Sequence, residues 1–103
     1  MIISSQRYLD YGRVDSKIEE ISGRDSVTLR IVLAGEIDGE AAYVLIDGHH
    51  TGEAARELGI EINFEEVSRN DAGYDERWTM GEMLENLWID SDWYNYETGE
   101  LVF

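Results

Sequence analysis

The segment Asp47-Gly48-His49-His50-Thr51 follows the apolar run Ala42-Tyr43-Val44-Leu45-Ile46 and precedes Ala54, Ala55 and Leu58, which share one face of a short helix. A strand that ends in Asp-Gly and turns into a helix leaves the first helical N–H groups without internal partners. Those groups carry the positive end of the helix dipole. Glycine permits the sharp turn and the close approach of a ligand to the backbone. Anions, phosphates above all, bind at such places. His49 and His50 add hydrogen-bond donors whose charge switches near neutral pH, and Thr51 reads as the helix N-cap. Asp47 has two readings. It caps the turn through its own side chain, or it orients a ligand or coordinates Mg²⁺. No third ligand stands at helical or hairpin spacing from the two histidines, so no metal site is expected from them alone. Mg²⁺ accompanying a nucleotide would take oxygen ligands such as Asp47 or Glu36.

The elements that must position this turn are legible from periodicity. Ile2 and Ile3 open a short strand, and residues 15 to 22 form a short helix with Ile18 and Ile21 on its apolar side and Gly23 as its stop. Val27 to Gly35 is the strongest strand, with Val27, Leu29, Ile31 and Leu33 on one face. Asp38-Gly39 is a tight-turn pair. The strand Ala42 to Asp47 is nearly all apolar, which predicts a central position buried on both faces. Gly59 stops the following helix, and Ile60 to Val67 alternates as a strand. That strand–helix–strand unit should be a right-handed crossover if its strands are parallel. Residues 68 to 77 form a polar loop. Thr79 and Glu82 make a capping-box pattern, and Met80, Met83, Leu84, Leu87 and Trp88 then line one face of a helix over 79 to 89. Residues 93 to 103 read as a small hairpin. The expected architecture is one α+β domain over residues 1 to 103, with a mixed sheet and two or three short helices.

The stretch Tyr43-Val44-Leu45-Ile46-Asp47-Gly48-His49-His50-Thr51, with Ala54-Ala55-Arg56-Glu57-Leu58-Gly59-Ile60 after it, resembles the ParB-like/sulfiredoxin-like superfamily. The likeness covers roughly residues 27 to 67. It implies a ParB/sulfiredoxin-like domain that binds a nucleoside triphosphate (ATP or CTP, with Mg²⁺), its phosphates at the Asp-Gly-His-His turn. It also implies phosphohydrolase or phosphotransfer activity, seen in some members. Asp47, Gly48, His49, His50, Thr51 and Arg56 would be the ligand-binding residues. Thr51 stands where the family carries an arginine, so one hydroxyl replaces a bidentate, fully charged phosphate contact. Arg56 can replace that arginine only by folding back from the following helix. Sulfiredoxin's reactive cysteine has no counterpart, because the chain contains no cysteine. The helical DNA-binding domain of ParB proteins has none within these 103 residues.

Net charge is −15 on 103 residues. Such a chain is repelled by nucleic-acid phosphates, and direct nucleic-acid binding is not expected. Beyond Arg56 the only basic residues are Arg69 and Arg77. The second reading of the chain is therefore a non-catalytic interaction protein of phage or plasmid type, a DNA mimic or anti-defence protein. Its acidic surface would engage a basic nucleic-acid-processing protein. The surface that could do so comprises Glu82, Glu85, Asp90 and Asp92 around the aromatic residues Trp93, Tyr94 and Tyr96, the other reading of these aromatics being a hairpin that folds back onto the core. No charged-then-apolar leader and no membrane-length apolar run are visible, so a soluble cytoplasmic protein is expected.

Overall fold

The computed structural model describes residues 1–103. Its elements are β1 (Ile2–Ser4), α1 (Tyr11–Ile21), β2 (Ser26–Ile37), β3 (Glu40–Leu45), α2 (His49–Leu58), β4 (Glu61–Glu66), α3 (Met80–Leu87) and β5 (Tyr94–Asn95). They form a single small α+β domain around one mixed five-stranded sheet, ordered β4-β2-β3-β1-β5. No helix is long and apolar enough to cross a membrane.

The β2–β3 hairpin is the frame. Ile37 pairs with Glu40 across a two-residue turn in which Asp38 and Gly39 have φ of 52° and 80°. Positive φ at both positions matches the right-handed twist of the flanking strands. As expected, β3 lies in the middle of the sheet, and Ala42, Val44 and Leu45 are buried. β1 pairs with it in parallel, Ile2 opposite Tyr43 and Ile3 opposite Val44. β4 does not neighbour β3. It crosses over to the far side of β2 and runs parallel to that strand, with Val27 opposite Ile62 and Leu29 opposite Phe64. β3 and β4 are thus antiparallel, and the right-handed crossover expected of that unit does not arise.

Both faces of the sheet are covered. Val27 packs with Val14 and Ile21 of α1 and with Ala54 and Ala55 of α2. On the opposite face Ile3, Val32, Ala34 and Val44 meet Met83 and Leu84 of α3 and Trp93. Leu33 pairs with Tyr43 in register with Ile31 and so keeps the face expected of it, but it is 42% exposed, and the register shifts only beyond it, between Leu33 and Gly35. A bulge of this kind turns the strand, and Gly35 is where Met80 packs against the backbone.

Several element ends differ from the sequence reading: β2 runs on to Ile37, and β3 spans Glu40–Leu45 rather than 42 to 47. α1 begins at Tyr11 rather than residue 15, because the Asp10 side chain accepts hydrogen bonds from the amides of Gly12 and Arg13. α2 begins at His49, with Gly48 and not Thr51 at its N-cap position. α3 has the expected reciprocal Thr79–Glu82 capping box but stops at Leu87. Trp88 then turns extended and is 57% exposed instead of completing the core stripe. The last residues do form a small hairpin: Tyr94 bridges Leu101, and β5 pairs antiparallel with β1. That pairing buries Trp93, Tyr94 and Tyr96. The three aromatics of the candidate partner surface are core residues, because β1 would otherwise present an unpaired apolar edge.

The seat of α2 on the sheet is unusually close. A side chain at Gly48 would meet Leu29, and one at Gly52 would meet both Leu29 and the hydroxyl of Tyr96. That hydroxyl is buried without a hydrogen-bond partner in the protein. Gly52→Ala should therefore lower the unfolding free energy by about 1–3 kcal/mol through overpacking. Tyr96→Phe should raise it by about 1 kcal/mol by removing an unpaired buried hydroxyl. Urea denaturation of the two single variants and the double variant checks both effects. The double variant should lose less than the sum of the singles.

Candidate functional site

β1 and β3 are parallel neighbours, so the chain leaves both at the same edge of the sheet. This edge, beyond the carboxyl ends of parallel strands, is where sheets of mixed or parallel type place ligands. It brings Ser4 to Arg7 beside Asp47 to Thr51. Gly48 has φ 86° and ψ 15°, a left-handed conformation that lets the chain turn directly from β3 into α2. The helix has no side-chain cap. Its first internal bond runs from the Gly52 amide to the Gly48 carbonyl at 2.7 Å, and the amides of His49, His50 and Thr51 donate to no group of the protein. They open on a hollow of about 350 Å³ lined by Lys17, Thr28, Leu29 and residues 47 to 51.

The sequence-predicted residues divide in this setting. Gly48, His49, His50 and Thr51 all line the hollow. Asp47 does so too, but it does not cap the turn through its side chain. Its carboxylate accepts from Arg30 Nε at 2.8 Å and Nη2 at 2.6 Å, and from the Arg30 amide at 3.4 Å. This pair closes the open end of the β2–β3 ladder and cancels the negative charge beside the free amides. The partly exposed pair adds little stability, but it spares an anion a bare carboxylate. Glu36 cannot share a cation with Asp47. It pairs with Ala41 near the hairpin turn, on the order of 20 Å along β2 from Arg30. No three His, Cys, Asp or Glu side chains converge on a metal position.

The two imidazoles are held differently. His50 Nε2 accepts the Asp10 amide at 3.1 Å, so its proton sits on Nδ1. This bond ties the start of α1 to the first turn of α2. His49 is 7% exposed. Its Nε2 lies 2.7 Å from Ser4 Oγ, and its ring stands edge-on to Tyr96 with centroids 6.1 Å apart. The Ser4–His49 distance is that of a nucleophile and its base. Ser4 is nonetheless sealed from solvent, and its Oγ accepts the Gln6 amide at 3.1 Å. The pair therefore fixes the ring orientation. Burial, with the neighbouring His50 second, lowers the His49 pKa to about 4.

Arg56 does not fold back to the turn. Its guanidinium lies 4.2 Å over the Tyr96 ring, and Nη2 donates to the Tyr96 carbonyl at 2.6 Å. It faces a second hollow of about 450 Å³, which has His49 as a shared wall and includes Arg7, Glu53 and Tyr96. Arg7 stacks 3.9 Å over Tyr94 and donates to the Gly99 carbonyl at 3.3 Å. Neither arginine is ion-paired with a carboxylate. Arg7 and Arg30 escaped the sequence reading because only strand pairing brings them to the turn, and Lys17 because only the packing of α1 against α2 does. All four carboxylates of the expected acidic partner surface, Glu82, Glu85, Asp90 and Asp92, are exposed, and two of them also serve the fold. Glu82 caps α3, and Asp90 accepts the amides of Arg7 and Tyr8.

The lowered pKa of His49 has a defined consequence. The unfolded ring binds its proton near pH 6.5 and the folded one near pH 4, so between these values the unfolded state holds more protons. The stabilisation from a neutral, buried His49 is complete above pH 6.5 and is lost as pH falls toward 4. The full difference is on the order of 3 kcal/mol. His49→Gln, which keeps a hydrogen-bonding partner for Ser4, should show a shallower loss of urea stability over that window than the parent chain.

No protein-family model, curated protein or solved structure matches this chain. The likeness to the ParB-like/sulfiredoxin-like superfamily rests on the residues quoted for it and on no matched protein.

Proposed function

We propose that the chain binds a phosphate-bearing ligand of the nucleotide class at Gly48–Thr51. The observation that carries this reading is the set of unpartnered amides on His49, His50 and Thr51 at an uncapped helix start. An anion there completes hydrogen bonds that the protein leaves open and meets the positive end of the helix dipole. Lys17 lines the same hollow, and the Arg30–Asp47 pair removes the nearest negative charge. The larger hollow behind His49, with Arg7 and Arg56, offers room for the rest of such a ligand.

The reading is one of binding rather than turnover. The hydroxyl–imidazole pair of Ser4 and His49 is enclosed, and no exposed nucleophile with a positioned base stands at the turn. Weak affinity is expected. Thr51 offers a hydroxyl where an arginine would offer a charged fork, and a net charge of −15 opposes the approach of any anion. Mg²⁺ bound to the phosphates would relieve part of that repulsion.

Titration with ATP and CTP, with and without Mg²⁺, tests the proposal by amide NMR. Shifts should concentrate at residues 48 to 52 and saturate in the millimolar range or below, a magnitude set by a few charge-assisted hydrogen bonds. Thr51→Arg should tighten binding about tenfold, the effect of one added charge-assisted contact. Silence at millimolar nucleotide in both conditions would eliminate the reading.

A further inference from the structure

A second surface has no part in that site. Where α3 ends, Gly81, Leu84, Glu85, Trp88, Trp93 and Phe103 enclose an open hollow of about 500 Å³. Leu84 and Trp93 form its floor and belong to the buried cluster that α3 makes with the sheet. Gly81 leaves the floor open, since space for a side chain there is unoccupied. Trp88 and Phe103 are 57% and 51% exposed at its edges. Apolar side chains of this size at the rim of an exposed cleft mark a contact site, and tryptophan is a common interface anchor.

Charge selects the occupant. Residues 78 to 103 contain Glu82, Glu85, Asp90, Asp92, Glu97 and Glu100 and no Lys, Arg or His. Glu85 lines the hollow itself, and Glu82 and Asp92 are exposed beside it in the chain. A second copy of this chain would bring another −15 charges to the same place and would be repelled. We infer that the Trp88–Phe103 groove docks a cationic amphipathic segment of another protein. An aliphatic or aromatic anchor would enter between Trp88 and Phe103, and flanking Lys or Arg residues would meet Glu85 and its acidic neighbours. Recognition of this kind lays an apolar stripe into a groove and uses rim charge for orientation and rate.

Calorimetry with three synthetic probes tests this: an amphipathic helical peptide of Leu, Trp and Lys, a Lys-only peptide of equal charge, and an acidic counterpart of the first. The amphipathic cationic peptide should bind saturably and weaken with added salt. The Lys-only and acidic peptides should bind at least about tenfold more weakly, as should the first peptide to Trp88→Ala or Glu85→Lys. Both replaced side chains are exposed, and amide NMR verifies that the variants keep the fold. The inference is overturned by any of three results: no saturable binding at millimolar peptide, equal binding of the Lys-only peptide, or binding indifferent to Trp88→Ala. It is equally overturned if sedimentation shows a dimer of the chain that Trp88→Ala dissolves, since the groove would then hold a second copy.

Discussion

The close seating of α2 on the sheet governs the rest of this molecule. Gly48 and Gly52 stand one helical turn apart and let the first turn of α2 rest directly on Leu29 of β2 and Tyr96 after β5. Larger residues would lift the helix. His49 would then leave Ser4, and His50 would leave the Asp10 amide that begins α1. Two glycines thus fix contacts reaching four elements. The second also accounts for the buried Tyr96 hydroxyl, which is pressed against a helix that offers it no acceptor.

That seating explains why the helix start is open. A helix that begins with Gly48 in the left-handed region has no side chain available to cap it, and Asp47, the nearest candidate, is turned to Arg30. Thr51 lies inside the helix and cannot cap its start. Three amide donors are left without protein acceptors in a chain rich in carboxylates, any of which at the right position would have closed the site. Local charge is arranged against the global trend: Lys17, Arg30, Arg7 and Arg56 gather near this end of the sheet, while residues 78 to 103 carry acid alone. The −15 total therefore describes neither region well.

Much of the scaffold was written locally. The Asp38-Gly39 turn, the Gly59 stop, the Thr79–Glu82 box and the apolar central strand each follow from residue types within a few positions of one another, and each stands in the structure as read. The turn at Gly48 was legible for the same reason. The misplaced boundaries had local causes too. The Asp10 cap of α1 was hidden because Tyr11-Gly12-Arg13 has no helical pattern of its own. The face of Leu33 was read as it stands, but its exposure was not legible, because the pattern of one strand does not show where the covering helices stop.

What the sequence alone determined is the inventory: one α+β domain, the apolar strand that precedes Asp47, the glycine turn, the acidic second half. Tertiary structure decided which distant residues meet there. Insertion of β1 beside β3 brought Ser4 and Arg7 to the turn, and Arg30 reached Asp47 through the hairpin ladder. The pairing of β5 with β1 took Trp93, Tyr94 and Tyr96 from a candidate surface into the core and left Trp88 and Phe103 exposed instead. The physical reason is range. Turns, caps and stops arise from interactions within one or two turns of chain, whereas strand order is set by which faces and edges must be covered together.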